Sequence, residues 1–377
     1  MKIIKTFFWV ALILPISLLG QQTKVTINIE NSSALARKES VVAVKWENVL
    51  SRFPKIDTTN FLVLDAITKK QIPFQLEHKG LQSIQNLLIQ VNVKAKSTLT
   101  LLIQQGKPQP FNAKTYARFI PERKDDFAWE NDKIAFRTYG KAIEKTKEDA
   151  YGLDVWVKRT DKLVIDERYK LGNYHIDNGN GMDYYHVGFS LGAGNMAPYV
   201  NDTIRYSANY HQWKILDNGP LRSSFQLTYD TWNAGGIKVR AIKVISLDAG
   251  SQLNRIENIY TFEDNKPLPV VVGIIKRPEN GIMSLNEQQG IMGYWEPNHG
   301  EDGITGVGTI LTSPVSNMFV DNKQLLAKTT VKSNESIVYY AGAAWNKAGE
   351  IIDSKQWFEY LDRFFQQIKE PLIVTLK

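Results

Sequence analysis

Past its first twenty residues the chain is written mostly in short runs of the period that extended backbone imposes, successive side chains falling on opposite faces. VTINIE (25–30), VVAVKW (41–46), NFLVLD (60–65), NLLIQV (86–91) and TLTLLIQ (98–104) are such runs, separated by polar or turn-forming segments. KKQIPFQLEH (69–78) reads as a hairpin turn leading into a further strand. KPQPFNAK (107–114), with two prolines, is the best linker. These limits predict an N-terminal β-sandwich domain over 21–110 and a larger domain over 116–377. In the second part, FAWENDKIAFRTYG (127–140) sets Ile134 and Phe136 on one face against Ala135 and Arg137 on the other. LDVWVKR (153–159), FQLTYDTW (225–232), KVRAIKVISL (238–247), NRIENIYTF (254–262), PVVVGIIK (269–276), GVGTILT (306–312) and SIVYYAGAAW (336–345) continue the pattern. One segment changes period. In QWFEYLDRFFQQI (356–368) the apolar positions Trp357, Tyr360, Leu361, Phe364, Phe365 and Ile368 recur at helical spacing, which predicts a helix laid on an apolar surface. PLIVTL (371–376) returns as a final strand. Antiparallel-type runs without a βαβ rhythm imply a mostly β fold of sandwich architecture with a C-terminal helix.

Composition narrows the setting. Lys2 and Lys5 precede an apolar run from Thr6 to Leu19, and Gly20 precedes a polar start at Gln21, the layout of an export signal over 1–20. No membrane span is expected once it is cleaved, because the apolar run is short and no stop-transfer pattern follows. The sequence contains no cysteine, which excludes a disulfide framework, a zinc–thiolate site and a thiol nucleophile. In an exported chain this favours a periplasmic setting, with folding carried by a large core. The net charge is +7, part of it lost with Lys2 and Lys5, and the remaining lysines are scattered. That pattern suits an anionic substrate better than nucleic acid.

Candidate chemistry concentrates in GNYHIDNGNGMDYYHVGFSLGAGNM, from Gly172 to Met196, which holds two of the five histidines, three tyrosines and six glycines. Imidazole and phenol are suited to moving protons near neutral pH. Taken as extended backbone, residues 183–191 divide by period two. Asp183, Tyr185, Val187, Phe189 and Leu191 form a packing face, and Tyr184, His186, Gly188 and Ser190 a polar one. His175 lies in a turn-rich segment able to return alongside, as does Asn178. Arg222 follows a Gly-Pro turn and could grip a carboxylate through two parallel hydrogen bonds, with Arg137 and Arg168 as weaker candidates. A second rich loop, GYWEPNHGEDGITGVG (293–308), offers Trp295 for stacking on a sugar and Glu296, His299, Glu301 and Asp302 for hydroxyls or a cation. His211 sits beside Trp213, as core or cleft. A divalent cation has no established ligand spacing behind it, and GxSxG, Walker-A and Rossmann signatures are absent. The set predicted to act is His175, Tyr184, His186 and Arg222, with Asn178, Asp183, His211, Trp295, Glu296 and His299 binding substrate.

FAWENDKIAFRTYG, NYHIDNGNGMDYYHVGFSLGAGNMAPYV, LDNGPLRSSFQLTY and EPNHGEDGITGVG together resemble an exported Bacteroidota family of unknown function, encoded in polysaccharide-utilisation loci, which includes an ulvan oligosaccharide dehydratase. The first motif also resembles the opening of galactose-mutarotase-like supersandwich domains. The resemblance implies removal of water across C4 and C5 of a non-reducing-end uronic acid, leaving a 4,5-unsaturated sugar. On that reading Arg222 or a cation neutralises the carboxylate, His175 or His186 takes the C5 proton, and Tyr184 protonates the departing hydroxyl. A polysaccharide lyase would use the same acid–base logic. A non-catalytic carbohydrate-binding protein would use Trp213, Trp232 and Trp295 only as stacking platforms. A mutarotase would leave mass unchanged, and a hydrolase would need two opposed carboxylates that one loop does not fix.

Overall fold

A computed structural model describes residues 24–321 and 323–377; the export signal expected over 1–20 lies outside them. Among the described residues no helix is long and apolar enough to cross a membrane. The chain is mostly β, in antiparallel sheets. The N-terminal runs form two facing sheets. One orders Ile373–Leu376, Lys24–Asn31, Ser97–Gln105 and Phe61–Asp65; the other orders Arg37–Lys45, Asn86–Val93 and Phe74–Glu77. Val25, Ile27 and Ile29 from the first meet Leu87, Ile89 and Val91 from the second in one buried cluster, the in–out alternation of each strand supplying the apolar face. The strand expected over 371–376 exists as Ile373–Leu376. It pairs with Lys24–Asn31, so the end of the chain joins the N-terminal sheets and not the larger unit to which the 116–377 limit assigns it. Residues 107–114 carry neither helix nor strand.

The larger part is a sandwich about an eight-stranded sheet. Its order is Gln212–Asn218, Arg222–Ala234, Ile237–Asp248, Leu253–Phe262, Ser336–Trp345, Thr305–Leu311, Ile291–Trp295 and Ile282–Asn286. Its inner face shares a core with two smaller sheets. One contains Thr115–Ile120, Asp126–Asn131, Ala135–Thr138 and Asp154–Lys158; the other contains Ala193–Pro198, Leu268–Ile275 and Gln324–Val331. The C-terminal helix, Ser354–Lys369, begins where the Asp353 carboxylate accepts from the Gln356 amide at 2.8 Å. Trp357, Leu361 and Phe365, on one helical stripe, bury against the outer face of the large sheet. Two seven-residue helices, Trp46–Arg52 and Ile165–Leu171, are too short to show a periodicity of their own.

Candidate active site

The Gly172–Met196 segment is positioned from below by a buried carboxylate. Glu130, at the end of the strand Asp126–Asn131, accepts the backbone amides of Val164 and Ile165 at 2.7–2.9 Å and so fastens the start of the helix Ile165–Leu171. Its charge is balanced by the Lys158 ammonium at 2.6 Å, both side chains fully buried. Gly172, with φ 67°, takes the left-handed conformation that ends the helix. Arg168 then donates to the carbonyls of Val157 and Asn180, each at 2.9 Å, tying the following turn to its neighbour strand. Arg168 is thus a fastener of the loop, not a carboxylate grip.

Residues 183–188 keep the expected alternation without being a strand. Only Gly181–Met182 pair in a ladder, yet Asp183, Tyr185 and Val187 are buried while His186 and Gly188 are exposed and Tyr184 is half-buried. The alternation fails at Gly188, whose φ of 54° turns the chain: Phe189 is exposed and Ser190 buried, the reverse of the sequence expectation. Before that turn, consecutive residues face two different histidines. The Asp183 carbonyl meets His175 Nδ1 at 2.9 Å, and the Tyr184 ring meets the His299 ring edge-on at 5.5 Å.

His175, His186, His299, Tyr184 and Asp183 line one open cleft of about 670 Å³, with Arg123 and Lys147 on its wall. The carbonyl at His175 Nδ1 can only accept, so this nitrogen carries the proton in the neutral ring and Nε2 keeps its lone pair. The His175 side chain is 65% exposed, so that lone pair is open to a ligand. Tyr184 is less free. Its hydroxyl lies 2.6 Å from Thr305 Oγ1, and burial raises its pKa above the ordinary phenol value, so it stays protonated.

Beneath the cleft one guanidinium serves three carboxylates. Arg137 donates to Asp154 at 2.8 and 2.5 Å and to Asp183 at 2.9 Å, and it lies 3.6 Å from Asp126. All four groups are buried, and Tyr139 adds a hydrogen bond to Asp154 at 3.0 Å. Burial outweighs the attraction of Arg137, and of Arg123 for Asp126 and Arg168 for Asp183. Burial pushes Asp126 up to about 7, and burial followed by the Asp154 charge also holds Asp183 far above the ordinary carboxylate range.

Several expected members lie elsewhere. Arg222 does not reach the cleft: it pairs with Asp248 at 2.5 and 2.8 Å and with Glu77 at 2.9 Å, in a separate crevice of about 460 Å³. His211 faces Asp230 at 3.0 Å and is not part of the cleft lining. Asn178 is exposed and, among the described residues, its side chain bonds only to the carbonyls of its own turn, those of Asn173 and Ile176. Trp295 is buried beneath the C-terminal helix and offers no platform to a sugar. Glu296 is buried beside the cleft, bound to Arg277 at 2.5 Å and 3.4 Å from His299. No group of three or more His, Asp or Glu side chains among the described residues is arranged to hold a metal ion. The sequence reading missed Arg123, whose Nη2 meets Glu148 at 3.0 Å while its Nη1 has no partner among the described residues. It missed Lys147 also. Both lie in charged turns, PERKDD and EKTKED, that look like ordinary solvated loops.

Comparison with known proteins adds relatives. The family described as Domain of unknown function (DUF4861) matches residues 29–374. The uncharacterized protein P7 of Formosa agariphila is 30% identical, with 93% of each chain covered. Among solved structures, a protein in the glycosyl hydrolase family 38 from Enterococcus faecalis superposes with a TM-score of 0.53 at 10% identity, covering 95% of this chain and 48% of its own. An α-mannosidase from Enterococcus faecalis V583 does so with a TM-score of 0.51 at 10% identity, covering 94% and 46%. The chain spans about half the length of each of these solved chains, and the likeness is one of fold.

Proposed function

The chain belongs to the family described as a domain of unknown function, DUF4861, and from that premise we propose that it is an exported, periplasmic carbohydrate-active dehydratase. Its substrate is the non-reducing-end uronic acid of an anionic, ulvan-type oligosaccharide, and its product a 4,5-unsaturated sugar. The observation that carries this reading is the convergence of His175, His186, His299 and Tyr184 in one cleft large enough for sugar rings. The basic and apolar leader of residues 1–20 supports export. The sandwich shared with carbohydrate-acting chains supports the substrate class as fold analogy only.

The chemistry follows from what each group can do. His175 Nε2, with its lone pair free, takes the proton from C5. That proton is acidic enough only when the adjacent carboxylate is neutralised, a task that Arg222 is too distant to perform. Arg123 and Lys147, both on the cleft wall, replace it in that role. The C5–H electrons form the C4=C5 bond as the C4–O bond breaks, and the departing hydroxyl is protonated from the side where Tyr184 and His299 lie. Hydrolysis by paired carboxylates suits the cleft less well, because Glu296 is committed to Arg277.

Incubation with uronate-terminated oligosaccharides is expected to raise ultraviolet absorbance from the enol ether and to lower product mass by one water at unchanged chain length. A shortened chain with the same absorbance identifies a lyase instead. No change across several uronides refutes elimination. His175→Gln is expected to lower kcat by about 10²–10⁴-fold, the usual range for a lost general base.

A further inference from the structure

The third histidine of the cleft has a carboxylate behind it. Glu296 follows the strand Ile291–Trp295, its side chain fully buried. Arg277 Nε holds its Oε1 at 2.5 Å, and the same guanidinium donates through Nη1 to the His186 carbonyl at 2.6 Å. The Arg277 guanidinium carbon also lies 4.6 Å from the centre of the Tyr185 ring. One cation therefore ties the segment carrying Tyr184, Tyr185 and His186 to the loop carrying His299. The second oxygen of Glu296, Oε2, stands 3.4 Å from His299 Nε2. Both atoms are buried, and neither has a hydrogen-bond partner among the described residues. An unpaired buried carboxylate oxygen and an unpaired buried ring nitrogen are each costly. Facing each other, they form a hydrogen bond on a slight closure, with Nε2–H donating. Nδ1 is then the nitrogen left toward the cleft.

We propose that His299 is a catalytic acid of this cleft, acting through Nδ1, and that Glu296 and Arg277 are positioning residues that fix its tautomer and its place in the cleft that His175 also lines. The proposal rests on the elimination reading and assigns the proton donor within it. His299 is better placed than Tyr184, whose hydroxyl is committed to Thr305. As His175 Nε2 takes the C5 proton and the C4–O bond breaks, the imidazolium of His299 gives its Nδ1 proton to the departing hydroxyl, which leaves as water. His175 ends the step one proton richer and His299 one proton poorer, and exchange with solvent resets both.

Nitrogen-15 NMR of the imidazoles in the full chain tests the positioning. The neutral His299 ring is expected as the Nε2–H tautomer, kept in Glu296→Gln, which retains an acceptor, and lost in Glu296→Leu. Turnover tests the acid. His299→Ala is expected to lower kcat by about 10²-fold or more, with KM within about threefold and partial recovery on adding imidazole. An Nδ1–H tautomer in the unsubstituted protein overturns the proposal, as does His299→Ala retaining kcat within about threefold. Where Glu296→Leu does not fold, the unsubstituted protein's tautomer and His299→Ala, at a partly exposed position, still decide. If the unsubstituted protein converts no uronide, the elimination reading falls separately, and the tautomer alone judges the roles of Glu296 and Arg277.

Discussion

His175 and His186 are alike in sequence context and unlike in surroundings. A backbone carbonyl fixes the tautomer of His175, whereas the His186 ring is exposed and only its carbonyl is held, by Arg277. The sequence picked out both residues, since histidine among glycine and tyrosine is visible in one dimension. It did not separate them, because the difference lies in which atom each ring nitrogen meets. Titration also belongs to this scale. Asp126 sits near 7 in the folded chain against an ordinary 3.8, so between those values the folded state holds a proton that the unfolded state has released. Its contribution therefore falls as pH rises from about 4 to 7 and is constant above, and Asp183 acts in the same direction. Lys243, buried near Tyr229 and Tyr151, is pushed down to about 7 from 10.5 by burial, so its contribution rises between those values. Asp183→Asn is expected to make the melting temperature rise more, or fall less, with pH between about 4 and 7, and Lys243→Met to make it rise less, or fall more, between about 7 and 10.5. Unaltered slopes in calorimetry would contradict both assignments.

At the scale of elements, the C-terminal helix was legible and its seat was not. Helical spacing marked 356–368, and the helix runs Ser354–Lys369. Gly293 falls in the glycine-rich stretch 293–308, and Gly306 and Gly308 fall both in that stretch and in the strand expected over 306–312. In the fold Gly293 and Gly308 are cross-strand partners beneath the helix. A Cβ at Gly308 would stand 2.7 Å from Leu361, and one at Gly306 2.7 Å from the Trp295 ring. Glycine lowers the strand surface and lets the helix approach. In a sequence, a glycine that makes room is indistinguishable from one that turns the chain. Trp357 fills the seat, fully buried, with its indole N–H donating to the Val307 carbonyl at 3.1 Å. Trp357→Ala is expected to cost about 3–5 kcal/mol in urea unfolding, the range for large aromatic truncations in a core. A cost under about 1 kcal/mol would mean that the helix is not docked as described.

At the scale of the whole molecule, Arg222 moves from chemistry to assembly. It joins the Glu77 carboxylate of the N-terminal sheets to Asp248 of the large sheet, and the Gln75 side chain accepts the amides of Leu221 and Arg222 at 2.8 Å. Asp217 answers from the large sheet by accepting the amides of His78 and Lys79, each at 2.7 Å. Arg222→Ala strands the buried Glu77 carboxylate and is expected to cost about 3–5 kcal/mol while leaving kcat of the folded protein unchanged. Lost turnover at undiminished stability would return Arg222 to the active site. The sequence alone determined the mostly β class, the C-terminal helix and the segment where the histidines gather, because hydrophobic period and local composition are properties of neighbours along the chain. The partners of charge were decided only by tertiary structure. Arg222 and Glu77 are 145 residues apart, and His186 and Arg277 are 91 apart. Which carboxylate an arginine meets depends on how sheets stack and which strand ends are brought together, and no local pattern records that distance.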